Sequence, residues 1–272
     1  MTLKPSLSIG ILPYMDDAKQ IDKDRFFSMA SAYDRLCREM VPAYDFMHHE
    51  LIRLLRFFGV GSKLVVDLGA GSGILLERIL DEIPGSTGVW IDYSDDFQRI
   101  ASRKLARFGE RVSMHRASFT DEWEQLLPTP PAVIVSMSAI HHLEDKNKKS
   151  LYRRCFDALA PGGWFFNIDE MKTMDDTAYR TALQLWISHV DETARKLASV
   201  CPDELDVWMA KFDSWKRRNV TNIGTPKTEG DDIHASFLEQ IDILGDVGFE
   251  HVDLFAKLHL WSMIGGRKPL QP

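Results

Sequence analysis

The chain has 272 residues, of which 44% are hydrophobic and 27% charged, the composition of an ordinary globular protein rather than a disordered or fibrous one. That length buries one large core, so one main domain with an elaboration is expected. A formal charge of -7 leaves no overall positive field to draw a phosphate backbone, which disfavours nucleic acid as a partner.

Cys37, Cys155 and Cys201 lie far apart and form no CxxC, so neither a disulfide framework nor a zinc site is expected, and a reducing cytoplasm fits. The stretch LSIGILPYM near the start is short, carries Pro13 and runs into Asp16 and Asp17. Neither export nor membrane anchoring is expected from it.

In chain order, residues 20 to 60 read as helices, and short apolar runs then alternate with amphipathic segments, the pattern of parallel strands joined by helices. LVVDL at 64 to 68 is the first strand, followed by a glycine turn and the helix ILLERILDEI, which stops before Pro84 and Gly85. TGVWID at 87 to 92 is the second. Asp95 and Asp96 then open the helix FQRIASRKLARF, where acidic groups suit the positive end of the dipole, and Gly109 closes it.

RVSMHRA is a third strand, and PAVIVSMS at 131 to 138, apolar and β-branched, is a fourth covered on both faces. A helix from about 146 to 159 ends at Ala160-Pro161-Gly162-Gly163, ahead of a fifth strand, WFFNID. Residues 173 to 222, rich in Trp, Leu and Ala, read as helices outside the alternation. A last helix at 233 to 246, Gly248, and the runs FEHVDLFAK and HLWSMIGGRK as a hairpin complete an α/β, doubly wound, seven-stranded sheet. The expected division is a helical lid segment at 1–60, a core at 61–172 and 231–272, and a helical lid insertion at 173–230.

VVDLGAGSG places Gly69, Gly71 and Gly73 between a strand and a helix, where missing side chains let backbone approach a ligand. A dinucleotide fingerprint starting at Gly69 needs glycine or alanine where Ile74 stands, so nicotinamide and flavin are disfavoured. Asp67 followed by GxGxG resembles motif I of the class I S-adenosylmethionine-dependent methyltransferases. Asp92 at the end of the second strand, the segment Ala139-Ile140-His141-His142-Leu143 and the APGG turn follow in that family's order. The resemblance covers about residues 25 to 268 and is nearest to the group with quinone methylases and carboxy-S-adenosylmethionine synthase.

The resemblance implies a Rossmann-like fold and S-adenosylmethionine as cofactor, with S-adenosylhomocysteine as product. Its cofactor contacts carry over to Asp67, Gly69, Ala70, Gly71, Gly73, Asp92, Tyr93, Ser94 and Ser136, Asp92 accepting the ribose hydroxyls. After the third strand Ser118 and Phe119 replace the acid that many relatives direct at the adenine, and a serine oxygen or ring stacking takes its place. Tyr33 and Tyr44 of the N-terminal segment stand where a ring could meet the sulfonium.

Methyl transfer from a sulfonium is an in-line displacement in which alignment does most of the work, and a hydroxyl or protonated amine acceptor also needs a base. His141 is the candidate base. Both histidines could instead merely line or pack under the site. No metal is expected, because neither His48-His49 nor His141-His142 has i, i+4 ligand spacing. His142, Trp186, His189 and Trp215 are candidates for contact with a small-molecule acceptor, although aromatic residues at helical spacing equally build cores. Lys216, Arg217 and Arg218 could hold the extra carboxylate of a carboxy-S-adenosylmethionine synthase, an alternative reaction. A non-catalytic cofactor-binding module is a second alternative, and a homodimer is left open beside a monomer.

Overall fold

A computed structural model describes residues 29–227 and 231–270. The LSIGILPYM stretch, and residues 1–28 of the expected N-terminal lid segment with it, lie outside the described residues. Helix α1 (29–40) leads into α2 (Tyr44–Phe57), then β1 (Leu64–Leu68), α3 (Ile74–Glu82), β2 (Thr87–Asp92), α4 (Asp95–Leu105), β3 (Val112–Arg116), β4 (Val133–Met137), α5 (Asp145–Ala158) and β5 (Trp164–Glu170). Helices α6 (Asp176–Leu197) and α7 (Pro202–Lys216) follow, then α8 (Phe237–Val247) and the hairpin β6 (Glu250–Leu258) and β7 (Trp261–Arg267).

The strands form one seven-stranded sheet in the order β3-β2-β1-β4-β5-β7-β6. β1 to β5 pair in parallel, while β7 runs antiparallel to β5 and β6. The switch of order on either side of β1 opens a crevice at the carboxyl ends of β1 and β4, where ligands of doubly wound sheets bind.

Burial explains the unbroken apolar runs. Val65, Val133, Val135, Phe166 and Ile168 face one core with residues of α2, α6 and α7, while Val66, Leu68, Ile134 and Phe165 face another with residues of α5 and α8. Alternation along each strand feeds both layers.

Two departures from the sequence reading concern the site. The last helix starts at Phe237 rather than 233 because Ser236 and Glu239 form a capping box: Glu239 N donates to Ser236 Oγ at 3.1 Å and Ser236 N to Glu239 Oε2 at 2.9 Å. Residues 231–235 are thereby left outside the helix as an irregular segment. In addition, α7 does not stop cleanly but continues through a π-helical turn, Arg217–Thr221, that buries Asn219.

The described part of the first helical segment and the later one are fastened together. Trp186 Nε1 donates to Met40 O at 3.0 Å, the His189 Nε2 lies 2.7 Å from Glu39 O, and Arg35 pairs with Glu204. Among the described residues, no helix is long and apolar enough to cross a membrane.

Candidate active site

A cavity of about 520 Å³ opens at the carboxyl ends of β1, β2 and β4. One half of it is built from backbone. Gly69, Gly71 and Gly73 all have positive φ, and at Gly69 (φ +74) a Cβ would stand 2.6 Å from Ala139 Cβ and 2.8 Å from Phe119 Cζ. Only glycine lets the loop turn beneath that ring. Gly69 and Ala70 both donate to Ile91 O, which ties the loop to β2.

Asp92, at the tip of β2, accepts from Gly71 N and from Ser94 N, each at 2.9 Å. Burial raises its pKa, against the pull of those amides. Asp67 is buried in β1 behind the loop, and its Oδ2 has no hydrogen-bond partner among the described residues. Burial, and then the charge of Asp92, push its carboxyl up to about 8. Asp67 thus offers the cavity a carboxyl oxygen that no described residue uses.

The other half is built from side chains remote in sequence. His141 N donates to Asp169 Oδ2 at 2.8 Å and the ring Nδ1 to Oδ1 at 2.5 Å. On the far side of the ring, Nε2 is 3.4 Å from Asp232 Oδ1. Burial opposes charge on this imidazole, yet the two carboxylates hold its pKa well above the usual value. Burial would likewise raise Asp232, but hydrogen bonding and charge from His141, with His142 and His234 beyond, hold it far below the carboxylate range.

His142 behaves oppositely. The charge on His141, then burial, lower it to about 4, so its ring is neutral near pH 7. Asp232 Oδ2 accepts from Asn219 Nδ2 at 2.9 Å and from Arg218 Nη2 at 3.4 Å, and Ile233 N donates to His141 O at 2.8 Å, locking the released segment against the histidines. Ligand atoms of His141, His142 and Asp232 lie within 4.8 Å of one another, the one group among the described residues whose geometry suits a metal ion.

Of the residues picked from sequence, Tyr33, Tyr44, Asp67, Gly69, Ala70, Gly71, Asp92, Tyr93, Ser118, Phe119, His142 and Arg218 line the cavity. The others do not. Gly73 caps α3, Ser94 caps α4 by accepting from Phe97 N, and Ser136 is buried within β4. His141 stands behind the wall, touching it through Asp232 and His142. Trp186 and Trp215 pack edge to face at 4.3 Å in the core, and His189 is spent on Glu39 O.

Sequence reasoning missed Asp169, Asp232, Lys211 and Ser138. Ser138 lines the cavity in the left-handed region (φ 57), a strained setting for a residue with a side chain. A signal for Asp232 existed: the S-x-x-E of Ser236 to Glu239 marks a helix start and leaves Asp231 and Asp232 in a loop. A second cavity of about 550 Å³, by Phe58, Lys63, Trp164 and Arg267, has no carboxylate or hydroxyl side chain among the described residues of its lining.

Comparison with known proteins agrees with this geometry. A family described as a methyltransferase domain matches residues 66–165. The chain is 27% identical over 146 residues to the ubiquinone biosynthesis O-methyltransferase of Nitrosospira multiformis, covering 54% of this chain and 59% of that one. It is 20% identical over 238 residues to the carboxy-S-adenosyl-L-methionine synthase of Nautilia profundicola, covering 87% and 91%.

The chain spans about three fifths of the curated relatives it matches first, 59% and 63% of their lengths. Human N-acetylserotonin methyltransferase, solved with S-adenosylmethionine, shares the fold with a TM-score of 0.51 at 15% identity, over 92% of this chain and 68% of that one. With a glycine loop after β1, an acid at the tip of β2 and a reversed C-terminal hairpin, the chain is similar to the class I S-adenosylmethionine-dependent methyltransferases, and its residues 66–165 match a methyltransferase domain.

Proposed function

We propose that the protein transfers a methyl group from S-adenosylmethionine to a hydroxyl of a small-molecule acceptor. The observation that carries this reading is the buried Asp169–His141–Asp232 row ending at the cavity that the glycine loop also lines. The residues fit the cofactor: Asp67 offers an unused carboxyl oxygen to its ammonium, Asp92 sits where ribose hydroxyls need acceptors, and Phe119 gives the base an apolar face. When bound, that cofactor supplies a methyl carbon activated by a sulfonium and leaves as S-adenosylhomocysteine.

The remaining work falls to side chains. Two carboxylates flanking one imidazolium carry a net charge of about -1 beside the acceptor hydroxyl, which favours loss of its proton to the neutral ring of His142 at the cavity wall as the carbon–oxygen bond forms. Asp232 is the member that faces the acceptor, and His141 stores charge behind it. Asp169 fixes the ring by holding both the backbone amide and Nδ1 of His141, and is a positioning residue. The O-methyltransferase name of the Nitrosospira relative supports a hydroxyl acceptor. Helices α1, α6 and α7 act as the lid that excludes water, which a displacement at a sulfonium requires. The free, buried cysteines suit a reducing compartment.

Incubation with methyl-labelled S-adenosylmethionine and a panel of phenols tests this directly. Label transferred to an oxygen, and lost by Asp232→Asn while S-adenosylhomocysteine still binds, is the expected result. Binding without transfer to any acceptor would leave a cofactor-binding module. A retained ligand with the mass of a carboxymethyl sulfonium would indicate carboxy-S-adenosylmethionine synthesis.

A further inference from the structure

Helix α7 presents Trp208 and Lys211 three residues apart, on one face. Trp208 stacks on Tyr33 with ring centroids 5.9 Å apart, and both Tyr33 and Lys211 line the cavity. The Lys211 side chain remains exposed to that space and makes no ion pair or hydrogen bond among the described residues.

Its neighbours are all engaged elsewhere. Asp232 uses Oδ2 for Asn219 and Arg218 and turns Oδ1 toward His141 and His142. Glu170 Oε2 lies 3.0 Å from His234 Nε2, and Arg218 is shared between Asp231 and Asp232. Lys211 is thus a cation in the acceptor half of the cavity with no direct ion-pair partner among the described residues.

We propose that the Lys211 ammonium is the docking point for a carboxylate carried by the acceptor, making Lys211 a specificity-determining residue. This rests on the acceptor site assigned above. Burial lowers the pKa of Lys211 while Asp232 and Glu170 pull it up, and an arriving carboxylate adds to the second effect. An ammonium with no direct partner favours an anionic ligand over an uncharged one of the same shape. Lys211 on α7 and the His142–Asp232 wall would then hold opposite ends of one small molecule, its carboxylate on the lysine and its hydroxyl at Asp232.

The test uses the full chain loaded with S-adenosylhomocysteine and two matched probes, 4-hydroxybenzoate and its methyl ester, measured by titration calorimetry. The wild type is expected to bind the acid at least about tenfold more tightly than the ester. Lys211→Met should remove that preference while leaving ester binding unchanged, which also shows that the fold is intact, and Lys211→Arg should keep the preference.

Equal or weaker binding of the acid by the wild type, binding of neither probe, or an undiminished preference in Lys211→Met each overturns the proposal. So does a fall of about tenfold in S-adenosylhomocysteine affinity in Lys211→Met with the acid-to-ester ratio unchanged, because the ammonium would then serve the cofactor's own carboxylate. Since the readout is equilibrium binding, a protein that shows the preference yet methylates nothing would refute the transfer reading alone.

Discussion

The two halves of the cavity are made by different means. The half formed by β1, β2 and the loop between β1 and α3 is local: Asp67, Gly69, Gly71 and Asp92 lie within a short span and act through backbone shape and two carboxyl groups. The half proposed for the acceptor gathers His141 after β4, Asp169 from β5, Lys211 and Asn219 from α7 and its extension, and Asp232 from the segment before α8. The first depends on conformations that few residues can adopt, and the second on charges that must balance across the fold. Substitutions should therefore separate binding from turnover along this division.

The largest effect belongs to Gly69→Ala. A Cβ there meets Ala139 and Phe119 below 3 Å at a positive φ, so S-adenosylhomocysteine affinity should fall by about 100-fold or more in calorimetry while circular dichroism keeps the helical signal. Retained affinity would show that the loop is not the cofactor's seat. Next, Asp232→Asn should lower turnover by about 100-fold or more with little change in cofactor affinity. Equal losses in both would mean that the halves are not separable.

Asp67→Asn is intermediate and carries a sign of its own. Because the folded pKa is raised to about 8, the buried carboxylate destabilises the ligand-free protein increasingly as pH climbs from its unfolded pKa toward 8. The neutral amide should raise Tm near pH 8, by about 2–4 °C for each kcal/mol relieved, while weakening cofactor binding about tenfold. A lower Tm would instead assign the carboxylate a structural task.

The smallest effect is away from both halves. His48 is buried against Tyr44, its ring nitrogens are without hydrogen-bond partners among the described residues, and burial, then the charge of Arg78, lower it to about 3. A depressed histidine contributes stability above about pH 6.5 that is lost as pH falls toward its folded pKa. His48→Phe should therefore shrink the drop in Tm between pH 7 and pH 5 by a few degrees. An unchanged drop would place the acid sensitivity with His142, whose shift has the same direction.

The same division explains what could be read from the sequence. VVDLGAGSG and Asp92 are legible because a positive φ demands glycine and the end of a strand sets its carboxylate beside the crevice; both constraints act over a few residues. The five parallel strands follow for a similar reason, since burial on two faces forces apolar runs. Asp169 carried no such mark, and Asp232 only the indirect one of the helix start at Ser236 that follows it. An acid closing β5 looks like any strand-end acid until His141 is brought against it, and Asp232 sits in a stretch whose polar and apolar pattern also suits a helix. Trp186 and Trp215 sit at helical spacing on segments whose neighbours are non-local, so periodicity could not tell wall from core.

The π-helical turn at Arg217–Thr221 sets the phase of everything after α7. A wider turn holds one more residue than an α-helical one, and here the surplus points Asn219 inward to Asp232 with Arg218 beside it. Removing a single residue from that turn would rotate the following positions by about 100° and disengage both donors at once, leaving Asp232 to the histidines alone. Homologues of different length at this point would then differ in the charge of the proposed acceptor chamber even with Asp232 and both histidines unchanged.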